Sequence, residues 1–132
     1  MSSKDPAAIA REIIDANLYM VLGTADETGR PWASPVYYAV AGYREFYWVS
    51  SPGATHSRNI AGRPEVSVER GIDIFSSRSL KNGGPAWTAG DVSGRAPIRL
   101  YRATAEAHSV LAKDGRPDHR IPVDLTQDLE GE

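Results

Sequence analysis

Between Tyr37 and Val68 the chain spells strand, tight turn, strand, short polar helix, strand. Tyr37-Tyr38-Ala39-Val40 runs into a turn at Ala41-Gly42. Phe46-Tyr47-Trp48-Val49-Ser50 returns, Pro52-Gly53 forces a second turn, and Thr55 to Ala61 suits about two helical turns before Gly62 and Pro64 stop them. Strands joined by so short a connection can pair only antiparallel, because a parallel partner needs a crossover of a dozen residues or more. Alternation puts Phe46, Trp48 and Ser50 on one face of the second strand and Tyr47 and Val49 on the other. Both faces are largely apolar, so this strand is expected at the centre of its sheet. A further strand is expected at Pro64 to Val68.

The flanks extend the same scheme. Asp5-Pro6 opens a helix, with Asp5 as N-cap and Pro6 at the first helical position; Ile9, Ile13 and Ile14 line its buried face and Asn17 ends it. Tyr19 to Ala25 is rich in strand formers. Asp26 to Arg30 is a turn with its glycine late, and Pro31 starts a returning strand, Trp32 to Val40. Pro35 removes a ladder donor, so that strand belongs at an edge or at a bulge. Arg70 to Gly84 reads as a helix with Ile72, Phe75 and Leu80 on its apolar side, ended by Asn82-Gly83-Gly84-Pro85. A turn of helix capped by Thr88 follows. Ile98 to Leu111 is the last long strand, with Lys113 to Arg116 as a hairpin turn and Ile121-Pro122-Val123 as its return.

At 132 residues a single domain spanning 1–132 is expected, large enough to fold without a staple. The chain has no cysteine, which excludes disulfides and thiolate metal sites. Its three histidines are far apart and none has a partner at ligand spacing, so no metal site is expected. A formal net charge of −2 and scattered basic residues give no footprint for nucleic acid. No apolar run reaches the roughly 20 residues that span a bilayer. The charged first fifteen residues lack a signal-peptide core, so a soluble cytoplasmic protein is expected. Walker, Gly-x-Gly-x-x-Gly and Gly-x-Ser-x-Gly motifs are all missing.

The remaining chemistry lies where the aromatic strand feeds the segment Ser50 to Arg58. Hydroxyls, a helix mouth and a cation there suit an anion such as a phosphate, and the strand beside them suits a flat ring. Flavin mononucleotide (FMN) carries both. The plain alternative is a hairpin followed by a polar connection in which Thr55 caps its own helix and His56 is solvated.

Gly29-Arg30-Pro31-Trp32-Ala33-Ser34-Pro35-Val36, then Phe46 to Ser51, His56 to Ile60 and Arg63 to Ser67, resembles the pyridoxamine 5′-phosphate oxidase-like family. The resemblance implies a mainly β, α+β fold: an antiparallel split β-barrel with rim helices. It implies a homodimer with FMN in the interface, acting as an oxidoreductase by hydride transfer with a small-molecule substrate. Ser34, Pro35, Val36 and Tyr37 match the strand along the flavin ring; Trp48, Ser50 and Ser51 match the neighbouring strand end. Thr55 and His56 match positions where many relatives place two cations on the phosphate, leaving Arg58 to supply charge. Relatives carry another barrel strand where Val68-Glu69-Arg70-Gly71 here runs straight into a helix, so one strand is expected to be missing after Val68. Related barrels use a deazaflavin coenzyme, and a flavin- or haem-holding module without catalysis and a degenerate member that binds nothing are the competing readings. No side chain is an obvious acid or base, and no arginine–histidine cluster for a B6 vitamer is present.

Overall fold

The computed structural model describes residues 5–59, 68–112 and 115–125. Helix α1 spans Pro6–Ala16, with strands β1 (Tyr19–Ala25), β2 (Pro31–Tyr37), β3 (Ala39–Ala41) and β4 (Glu45–Ser50) behind it. Helices α2 (Thr55–Asn59) and α3 (Val68–Lys81) follow. A 3₁₀ turn at Ala89–Val92 leads to β5 (Arg99–Thr104), β6 (His108–Leu111) and β7 (Arg120–Val123). Among the described residues the strands form three antiparallel sheets, ordered β1-β2, β3-β4-β5 and β6-β7.

Tyr19 pairs with Tyr37 and Ala25 with Pro31, and the Asp26 carboxylate fastens the turn between them. Its Oδ1 accepts from the Thr28 N–H, the Thr28 hydroxyl and the Arg30 N–H at 2.6–2.9 Å. These bonds, the Thr28 hydroxyl first, hold the Asp26 carboxyl below the usual carboxylate range. Gly29 supplies the positive φ of 88°. Pro35 lies opposite Val21 in a sheet that β1 and β2 share alone, which is the edge setting a proline needs.

The expected strand Trp32 to Val40 is two strands, because the chain changes sheet at Tyr38. The Tyr38 N–H donates to the Leu18 carbonyl and its hydroxyl to the Ile14 carbonyl, while Ala39 already pairs with Tyr47 of β4. Strand β4 is central, flanked by β3 and β5, with Tyr47 and Trp48 buried. The long strand Ile98 to Leu111 also divides. After Thr104 the Ala105 N–H turns to the Arg44 carbonyl, and β6 pairs instead with β7. The expected strand Pro64 to Val68 falls mostly outside the described residues, but Val68 opens α3, which runs unbroken across the Val68–Glu69 junction.

The core is Ala39, Tyr47 and Phe75, walled by Tyr37, Val49, Ile74, Trp87 and Leu100. Phe75 meets the rings of Tyr37 and Trp87 edge-on at 5.7 and 5.4 Å. Helix α3 lies so close to the sheet that Gly71 has no room for a side chain: a Cβ there would sit 2.6 Å from Leu100 Cδ2 and 2.9 Å from Tyr47 Cε1. At the other end of α3, Arg78 donates to the Asn17 carbonyl at 2.7 Å and stands over the Tyr38 ring. It thereby caps α1, where the Asn17 amide also donates to the Ile13 carbonyl. Asp5 precedes α1 without a side-chain cap bond, so Pro6 alone marks that start. The Asp91 carboxylate accepts from the Thr88 N–H and hydroxyl, fastening the 3₁₀ turn as expected.

Candidate functional site

The inner face of the β1–β2 ribbon and helix α2 meet at the tip of the hairpin. Asn59 of α2 donates its amide to the Thr24 hydroxyl at 2.9 Å. Trp32, on the same side of the ribbon, donates its indole N–H to the Ser34 hydroxyl at 2.7 Å and stays half exposed. Between them opens a cavity of about 760 Å³, lined by Ala25, Asp26, Glu27, Arg30, Pro31, Trp32, Thr55, Arg58 and Asn59. That volume is in the range of small-ligand sites, roughly 300–1,000 Å³.

Two arginines, Arg30 from the ribbon and Arg58 from α2, border this one space, with Thr55 beside them. Arginine presents a planar fork of donors that matches a phosphate or carboxylate. Asp26 and Glu27 bring the opposite charge to the rim. The Oδ1 of Asp26 is engaged by the donors of its own turn, which favour its ionised form, so that carboxylate keeps its charge at the rim. Pro31 and Trp32 supply the apolar wall. The arrangement can hold an anionic group at the arginines and a flat ring against Trp32.

The family profile described as pyridoxamine 5′-phosphate oxidase matches residues 8–110, most of the chain. The chain belongs to this family. A solved structure described as a heme binding protein from Mycobacterium smegmatis superposes with a TM-score of 0.61 at 17% sequence identity, over 96% of this chain and 61% of that one. The chain therefore spans less than two thirds of that protein's length, and the likeness shows the shared fold: an antiparallel split barrel. No curated protein matches the sequence.

Within this member of the pyridoxamine 5′-phosphate oxidase family the residues expected at the site lie in several different settings. Thr55 and Arg58 border the cavity. Ser50 and His56 are elsewhere and occupied with each other: Ser50 Oγ lies 2.8 Å from His56 Nε2, tying the end of β4 to α2. Ser51 accepts from the Gly53 N–H and shapes the turn. Trp48 is 2% exposed and stacked on Tyr101, with ring centroids 5.9 Å apart. Ser34 and Val36 are buried on the inner side of the ribbon, and Pro35 is exposed on the outer side. Tyr37 closes the core, its hydroxyl accepting from Asn82.

Arg30, Trp32 and Asn59 border the cavity without having been expected there. Arg30 and Trp32 stand in the Gly29-Arg30-Pro31-Trp32 motif, and the alternation from Pro31 was the signal that Trp32 faces α2. Among the described residues no group of histidine, cysteine and carboxylates could hold a metal ion. No helix among them is long and apolar enough to cross a membrane.

Proposed function

We propose that this protein is an FMN-binding oxidoreductase whose cofactor phosphate is held by Arg30, Arg58 and Thr55 and whose ring rests on Trp32 and Pro31. The observation that carries the reading is that Arg30, Arg58 and Trp32 all border one cavity of ligand size. The donor set fits: forked cations and a hydroxyl for a dianion, apolar surface for a heterocycle. Bound flavin would supply hydride chemistry with a small-molecule substrate. The chain's part is to bind, orient and shield the ring, since no acid or base lines the cavity beyond the rim carboxylates. A deazaflavin coenzyme, flat and anionic in the same way, is the close variant. The cytoplasm is the proposed compartment, in keeping with a chain without cysteine.

The heme-binding neighbour favours one second reading: a module holding haem, with the two arginines on its propionates. Titration of the purified protein with FMN and, separately, with haemin sorts the two. FMN binding with quenched flavin fluorescence, weakened roughly 10- to 100-fold by Arg58→Ala and by Arg30→Ala, is the expected result, since hydrogen bonds to charged groups contribute about 1.5–3 kcal/mol. Bleaching by NADPH and recovery in air would mark a redox enzyme. A Soret band with haemin and no response to FMN would favour the second reading. Unchanged FMN affinity in both arginine variants would remove the cavity as the site.

A further inference from the structure

Helix α2 is five residues long, well below the roughly 12–15 at which a helix begins to hold itself. Its place is therefore set by what it is tied to. Thr55, Arg58 and Asn59, spaced i, i+3 and i+4, share one side of it, and all three border the cavity. Ser57 lies on the other side and is 2% exposed. Two side-chain bonds fasten the helix, one towards each end. The Asn59 amide donates to the Thr24 hydroxyl of β1 at 2.9 Å. His56 Nε2 lies 2.8 Å from the hydroxyl of Ser50, the last residue of β4. Both partners of this second bond are half-buried, and neither borders the cavity. Between them the Ala54 N–H donates to the Ser51 carbonyl at 3.1 Å and the Arg58 N–H to the Ala54 carbonyl at 3.0 Å, so the connection from β4 is fixed as well.

We propose that His56, held by Ser50, is a positioning residue for Arg58: the pair sets the rotation of α2 and so presents Arg58 to the anionic group in the cavity. The inference rests on the cofactor reading above and adds to it how the phosphate end is kept in place. His56 stands where a second cation on the phosphate was expected, and its ring is turned to β4 instead. A hydroxyl both donates and accepts, so the bond forms with either neutral tautomer of the imidazole. Position separates the two fastenings. Asn59 reaches the cavity itself, whereas His56 does not, so the effect of His56 on a ligand passes through the helix. Arg58 is exposed, and its long side chain has many rotamers. A helix free to roll would multiply the orientations that binding must freeze, and an anchored one lowers that cost. Arg30 needs no such anchor, because its N–H is already held by Asp26 in the hairpin turn.

Titration with FMN and with riboflavin, which has the same ring and no phosphate, tests the proposal by flavin fluorescence. His56→Ala is expected to weaken FMN about 3- to 10-fold, the effect of one long side chain left to be ordered on binding, and to leave riboflavin unchanged. Ser50→Ala breaks the same bond from the other side and is expected to match it; it carries the test if His56→Ala fails to fold. His56→Gln is expected to restore FMN affinity, because its amide can also bond the Ser50 hydroxyl. In an Arg58→Ala background His56→Ala should have no further effect, since the two act as one unit. Equal weakening of FMN and riboflavin would mean a general loosening of the fold and overturns the proposal. So does full additivity of His56→Ala with Arg58→Ala. FMN affinity that falls in Arg58→Ala and stays unchanged in both His56→Ala and Ser50→Ala overturns it alone and leaves the cofactor reading standing. Unchanged affinity in Arg58→Ala, or no FMN binding by the unmodified protein, removes the cofactor reading and this inference with it.

Discussion

Replacing Gly71 by alanine sets two known effects against each other, and the packing of α3 decides the sign. In a helix interior alanine is favoured over glycine by about 1 kcal/mol. The new methyl, however, would lie 2.6 Å from Leu100 Cδ2 and 2.9 and 3.1 Å from two carbons of the Tyr47 ring, where carbon contacts prefer about 3.5–4.0 Å. The Leu100 methyl can swing aside. The Tyr47 ring cannot: it is 1% exposed, and its hydroxyl donates to Glu45, whose carboxylate pairs with Arg70 at 2.7 Å and Arg102 at 3.5 Å. Overpacking of this kind costs roughly 1–3 kcal/mol, so Gly71→Ala is expected to lose about 1 kcal/mol net. Gly90→Ala, whose Cβ would meet only Thr88 Oγ1 at an ordinary 3.8 Å, is the comparison and is expected to be neutral or slightly stabilising. Urea unfolding followed by tryptophan fluorescence reads both. Adding Gly71→Ala to a Leu100→Ala background should still destabilise if Tyr47 is the obstacle. A Gly71→Ala protein as stable as the parent would refute the close approach of α3 to β4.

Arg78→Ala should cost about 2–3 kcal/mol in urea unfolding and fray α1, since it removes the bond to the Asn17 carbonyl and the cation over Tyr38. Burial, above all, pushes the Tyr47 phenol up, with its bond to Glu45 adding to the shift, and burial likewise pushes up Tyr38. Below about pH 10, the ordinary tyrosine value, both states keep these protons and stability is full. As pH rises from there through the folded-state values the unfolded chain ionises first, so the urea midpoint should fall, and Tyr38→Phe/Tyr47→Phe should flatten that fall. Ser57→Ala should leave stability unchanged or raise it slightly, because the Ser57 hydroxyl is buried without a hydrogen-bond partner among the described residues; a loss above about 1 kcal/mol would reveal a partner for it.

Where local pattern decided the structure, the sequence was a sufficient guide. Tyr19–Ala25 is β1 to the residue because its alternation is bounded by Asn17 and the Asp26 turn. Strand β4 is central because both of its faces are apolar. The end of α3 follows from Asn82-Gly83, where Gly83 takes a φ of 84°. The divisions at Tyr38 and after Thr104 carry no such signal: the apolar run continues while the pairing partner changes, and a partner is a tertiary fact. The site was legible only in part for the same reason. Thr55 and Arg58, expected from the polar segment they occupy, border the cavity. Arg30 and Trp32 reach the cavity only because the ribbon folds its tip onto α2. Ser50 and His56, adjacent in purpose on paper, satisfy each other at 2.8 Å.

The single-residue passage between sheets at Tyr38 gives the hairpin a pivot. One end of the ribbon borders the cavity at Arg30 and Trp32; the other is pinned where the Tyr38 ring lies beneath Arg78 and its hydroxyl grips the last turn of α1. A rigid arm held at one end turns displacement at its tip into torque at the pin. A ligand that displaced the tip would therefore load α1 and α3, two helices that do not border the cavity.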